Sequence, residues 1–167
     1  METQNYKLIP LTQNQSAIVD SEDYEWLSQW KWHTNKGYGE RFIYLGRKNG
    51  RSVQKRVYMH RAILENHGFD LQGKETDHIN LNRADNRIEN LRVATLTENQ
   101  RNKFYKTNTS GYKGVTWKNK LKKWQVAISF NKKTIYLGIF TKLKEAALTY
   151  NQAALKYHKE FARFNNV

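Results

Sequence analysis

Asp77 and His78 stand side by side, Asn90 follows twelve residues after the histidine, and Asn99 nine residues after that. A histidine with a reference pKa near ~6.5 can take a proton from water at neutral pH. The carboxylate of Asp77 and the amide oxygen of Asn99 are hard donors that suit Mg²⁺ or Mn²⁺ and disfavour zinc, with positions left for water or a phosphate. The chemistry open to such a set is phosphodiester hydrolysis, which needs a nucleophilic water, neutralised charge and a stabilised leaving oxygen. Neighbouring residues on a strand face opposite ways, so the Asp-His pair alone specifies nothing. The asparagines at their offsets give it weight.

The surrounding text is DHIN at 77–80, DNRIENLRVAT at 85–95 and TENQRN at 97–102, led in by MHR at 59–61. Over these 45 or so residues the chain resembles the HNH nuclease family. The resemblance implies His78 as general base, Asp77 as first metal ligand, Asn90 as the residue that orients the base and Asn99 as second metal ligand. It also implies one-metal hydrolysis leaving 5′-phosphate and 3′-hydroxyl ends. Many members carry His where this chain has Asn99, whereas a homing-endonuclease subgroup carries Asn. Asn102, one turn on, is the alternative ligand. Arg61 could clamp the scissile phosphate through charge-assisted hydrogen bonds, or serve packing. Asp85 and Arg87 are expected to pair and brace the loop.

These residues need elements to hold them. ETDHI and LRVAT are short strands flanking the polar loop NLNRADNRIEN, and Thr95-x-x-Glu98 is a capping box that opens a helix carrying Asn99. Before them, MHRAILENHG is a helical stretch closing on the C-cap glycine Gly68. Residues 1–57 form a β-rich region: two strands, a short helix with Ser21 as N-cap, then strands broken at Lys36-Gly37 and at Asn49-Gly50, a strong hairpin signal. The expected divisions are 1–57, a ββα-metal nuclease at 58–103, a polar linker at 104–110 and a last domain at 111–167.

That last stretch reads as three strands separated by Lys/Asn-rich turns, followed by a helix. Its periodic set Ala146, Ala147, Tyr150, Ala153, Ala154 and Tyr157 forms one small-residue face to lie on the sheet. YKGV, KW, YLGIF, EAALTYNQAA and the closing FN resemble the Apetala-type DNA-binding domain of ethylene-response factors, from about 108 to 165. The resemblance implies that the sheet enters the major groove, with Lys113, Thr116, Lys118, Ser129, Thr134 and Tyr136 at the contact positions. Several carry Arg in the plant proteins, so base readout is expected to differ or loosen. Trp124 and Phe140 are expected in the core.

Composition agrees with an anionic partner. The net charge is +14, and residues 104–167 hold 13 basic against 2 acidic side chains. A second basic patch, Arg41, Arg47, Lys48, Arg51, Lys55 and Arg56, has no acid within 41–56. Without cysteine there is neither a disulfide framework nor a Cys-ligated zinc. No apolar run is long enough to span a membrane, so a soluble intracellular protein is expected. The fold class expected is α+β. The partner expected is double-stranded DNA, with a Mg²⁺ or Mn²⁺ ion as cofactor and a monomer as the simplest state, a homodimer remaining open. The rival function is a non-catalytic, sequence-specific DNA-binding regulator with a degenerate nuclease site.

Overall fold

The computed structural model describes residues 5–103 and 109–167. They form an α+β chain whose strands group into small antiparallel sheets and which divides into two compact units at Leu96/Thr97. Most of the expected linker, residues 104–108, lies outside the described residues. Among the described residues no helix is long and apolar enough to cross a membrane.

The first unit opens with the hairpin β1 (Tyr6–Pro10) and β2 (Ser16–Asp20), then helix α1 (Ser21–Leu27). Asp20, not Ser21, is the N-cap residue, and it makes no side-chain cap bond. Its carboxylate instead accepts from the Ile88 amide at 2.6 Å and ties the distant loop to β2. A three-stranded sheet follows in the order β3 (His33–Asn35), β4 (Tyr38–Lys48), β5 (Arg51–Tyr58). Both two-residue connections have positive φ throughout: Lys36 51° and Gly37 84°, Asn49 50° and Gly50 75°. Such turns match the twist of the flanking strands, which is why Asn-Gly marks them in the sequence.

Helix α2 (Met59–Asn66) ends on Gly68 at φ 82°, where the Gly68 amide reaches Glu65 O and the Phe69 amide reaches Leu64 O. Beyond it, β6 (Glu75–His78) and β7 (Leu91–Ala94) pair antiparallel, with Asp77 opposite Arg92 and His78 opposite Leu91. One core joins all of this: Ile9, Val19, Leu27 and Trp32 pack with Met59, Ile63, Leu64 and Leu91. The boundary expected at 57/58 therefore falls inside a single packed unit. Helix α3 (Leu96–Asn102) comes next in the chain.

In the second unit β8 (Val115–Lys118), β9 (Lys123–Phe130) and β10 (Lys133–Phe140) form a sheet in the order β10-β9-β8, followed by α4 (Leu143–His158). Val115, Val126 and Ile128 meet Ala146, Tyr150, Ala153 and Ala154 in the core, with Trp124, Phe140 and Tyr157 packed at its margin. The small α4 side chains let the helix lie close to the sheet, as their spacing predicts. Gly114 is the tightest point: a Cβ there would stand 2.1 Å from the Tyr150 ring and 2.7 Å from Ala127 O. The closing Asn165 accepts from the Lys113 amide at 2.7 Å and donates to Lys113 O at 3.1 Å, pinning the entry to β8.

Candidate active site

His78 is the last residue of β6 and only 5% exposed. Its ring lies against Tyr38 of β4 (centroids 5.9 Å apart) and His60 of α2 (5.1 Å, edge to face). Nε2 sits 3.2 Å from Oδ1 of Asn86. The Asn86 amide cannot be turned over freely, because its Nδ2 donates to Ala84 O at 3.1 Å and its backbone amide donates to Ile18 O at 2.8 Å. The oxygen of Asn86 thus faces the ring, Nε2 must carry the hydrogen, and Nδ1 becomes the basic nitrogen. Burial holds the His78 pKa below the usual histidine value, and the Arg83 charge acts the same way, against the opposing influence of Asn86, Asp77 and Asp85. That shift favours the neutral imidazole, the form a general base requires.

The loop that carries Asn86 is folded on its own side chains. Asn80 Oδ1 accepts from the Asn82 amide, Asn82 Oδ1 from the Ala84 amide, and Asn80 Nδ2 donates to Asp85. Arg87 grips both oxygens of Asp85 at 2.9 and 2.8 Å, the bracing pair expected from the sequence. Asn90 closes the loop: its Oδ1 accepts from the Asn80 amide at 3.0 Å and its Nδ2 donates to Asp85 O at 2.7 Å. These hydrogen bonds of Asn90 thus go to the loop, and the side chain that meets the His78 ring is Asn86.

Asp77 is 4% exposed and meets Arg92 across the hairpin, its Oδ2 receiving Nε at 2.8 Å and Nη2 at 2.6 Å.

A family model described as HNH endonuclease matches residues 57–101. The chain is also similar to Protein 3.8 of Escherichia phage T7, with 33% identity over 94 residues that make up 56% of this chain and 77% of the relative. No solved structure matches it. The chain belongs to the HNH endonuclease family.

The HNH segment begins at the end of β5 and runs through α2, β6 and β7 into α3. Of the remaining expected residues, Arg61 on α2 donates to Lys74 O at 3.0 Å and Leu71 O at 3.3 Å, bracing the 71–74 loop. A phosphate clamp would have to use the rest of its guanidinium. Its neighbour His60, part of the MHR lead-in but without a role of its own in the sequence reading, is the residue that reaches the His78 ring. His60 is 7% exposed, its Nδ1 is buried without a hydrogen-bond partner, and burial, then the charges of His78 and Arg61, push its pKa down to about 3. Asn99 is half-buried and Asn102 buried on α3.

Among the described residues no three His, Cys, Asp or Glu side chains group to hold a metal. A buried carboxylate with an amide oxygen would fit a hard divalent ion that keeps much of its water. Asp77 supplies such a carboxylate, and Arg92 shows that it already attracts a cation.

Five of the six expected DNA-contact residues share the sheet face opposite α4. Thr116, Lys118, Ser129, Thr134 and Tyr136 alternate with the inward Val115, Val126, Ile128 and Ile135, and Ser129 pairs with Thr134 in register. Tyr136 is 57% exposed. Lys113 is the exception. Its Nζ donates to Lys103 O at 2.7 Å and to Arg101 O, so it satisfies carbonyls at the end of α3. Burial, helped by Arg163, lowers its pKa to about 8.

Proposed function

We propose that this protein is a homing-type DNA endonuclease that hydrolyses phosphodiester bonds in double-stranded DNA, with His78 as general base. The observation that carries the reading is the buried His78 imidazole whose tautomer is set by Asn86. Nδ1 takes the proton of the attacking water, while Asn86 holds Nε2–H and the edge of His60 limits rotation of the ring. Asn80, Asp85 and Asn90 keep Asn86 at that distance as charge develops on the imidazole. Asp77 would hold a Mg²⁺ or Mn²⁺ ion, with Asn99 as the second ligand that the family resemblance assigns, and the ion would supply Lewis-acid stabilisation of the phosphate and the departing 3′ oxygen.

The second unit supplies affinity in this reading. Its outward sheet residues Thr116, Lys118, Ser129, Thr134 and Tyr136 contact the duplex in the Apetala-type manner, and the lysines of its turns add salt-sensitive phosphate contacts. Tethering two modules to one duplex raises the effective concentration of the nuclease at its site.

The test is cleavage of plasmid or phage DNA in Mg²⁺ by the parent chain and by His78→Ala. Cutting by the parent and none by the variant is expected. Equal cutting by both overturns the role of His78, and binding without cutting by the parent selects the non-catalytic regulator.

A further inference from the structure

Beyond Arg41 and Val57 the β4–β5 hairpin leaves the core. Every residue from 42 to 56 is exposed except Ile43 and Gly46, which are half-exposed. The hairpin therefore projects as a two-stranded ribbon of about 20 Å, given ~3.4 Å per residue. It carries Tyr44 at 61% and Leu45 at 60% exposure, apolar surface that nothing in its own unit covers. A bulge between Tyr44 and Gly46 bends it.

Its charge is of one sign. At the base, Arg41 lies over Trp30 and Arg56 bonds Tyr58 and approaches Glu40, so both are engaged within the fold. Farther out, Arg47, Lys48, Arg51 and Lys55 have no acidic partner among the described residues. The register assigns them to both faces: Arg47 pairs with Ser52 on one, while Lys48 with Arg51 and Ile43 with Lys55 lie on the other.

We propose that this hairpin is a separate DNA-binding arm that lies in the major groove of the duplex. The inference rests on the reading of the protein as a DNA endonuclease. The major groove admits a two-stranded ribbon, being about 12 Å wide, and it is walled by phosphates on both sides. Cations on both faces of the ribbon answer both walls. A flat anionic surface such as a membrane would meet only one face. Tyr44 and Gln54, paired on the face that bears Arg47, are the side chains placed to meet base edges.

The experiment compares the parent chain with Arg47→Gln/Lys48→Gln/Arg51→Gln on a labelled 30-base-pair pool of random-sequence duplexes, in chelator, between ~50 and ~300 mM salt. The variant keeps its melting temperature, because the three side chains are exposed. Expected are a 10- to 100-fold weaker affinity near ~100 mM salt and a salt slope smaller by about 2 to 3. The difference between parent and variant disappears when methyl green fills the major groove and persists with distamycin in the minor groove. A variant with the parent's affinity and slope overturns the arm while leaving the endonuclease reading intact. The converse competition pattern overturns the groove assignment, and a parent that binds no duplex DNA overturns both readings.

Discussion

The amide oxygen of Asn86 lies 3.2 Å from Nε2 of His78, and the other end of the same amide is held by Ala84 O. This link sets which ring nitrogen is basic. Asn86→Ala frees both tautomers and leaves the ring loosely held, so kcat is expected to fall by roughly 10- to 100-fold with KM little changed. Single-turnover cleavage at saturating protein reads the effect. The same substitution removes a fully buried hydrogen-bonding side chain and should cost about 1–3 kcal/mol in urea unfolding. Unchanged single-turnover rates would remove Asn86 from the site.

His60 makes the first unit sensitive to acid. Its folded pKa is about 3, against about 6.5 when unfolded, so the unfolded chain binds the extra proton. Stability is complete above pH ~6.5 and falls as the pH drops, by about 1.4 kcal/mol per unit from this residue alone until its folded pKa is reached. Burial lowers the His78 pKa as well and adds loss of the same sign. His60→Phe is expected to flatten the slope between pH 6 and 4.5 by close to one proton. Urea titrations at a series of pH values measure it, and an unaltered slope would exclude the assignment.

Asp77 and Arg92 form a part-buried ion pair, and removing the arginine takes one partner from a buried carboxylate. Arg92→Ala should destabilise the protein by about 1–3 kcal/mol in chelator. If Asp77 also holds the divalent ion, added Mg²⁺ restores more stability to this variant than to the parent, and chelator abolishes cleavage by the parent. Thermal melts with and without Mg²⁺ decide the matter. Identical Mg²⁺ shifts in both proteins would place the ion elsewhere.

Gly114 admits no side chain. Its φ is +73° and a Cβ would overlap the Tyr150 ring. Gly114→Ala is expected to cost about 3 kcal/mol, through overpacking and a disfavoured backbone together. Loss of the second unit's amide-exchange protection is the measurement, with the first unit's protection retained as the internal control.

Several local features were legible in the sequence, although the N-cap of α1 read as Ser21 and is Asp20. Asn49-Gly50 and Lys36-Gly37 set their turns through backbone conformation, Gly68 ended its helix, and the alanines of α4 announced the face it buries. Side chains whose partners come from distant elements were not legible. Arg61 read as a phosphate clamp or a packing residue and Lys113 as a DNA contact, because residue type reports a charge, not the carbonyls it meets after folding. His60 and Asn86 gave no periodic signal, since their places beside His78 arise from packing α2 and a loop around β6. Asn90 stood out by its spacing, yet its side chain acts one step away from the ring.

The hydrophobic core of the first unit bears on how the nuclease could be moved between proteins. Met59, Ile63, Leu64 and Leu91, inside the 45-residue HNH segment, are covered by Ile9, Val19, Leu27 and Trp32 from outside it. A graft of the HNH segment alone would carry the chemistry without the scaffold that makes it rigid, and would have to find a replacement lining in its host. A cassette that keeps this lining includes β1, and recombination breakpoints that leave cleavage intact should avoid the interval between β1 and β7.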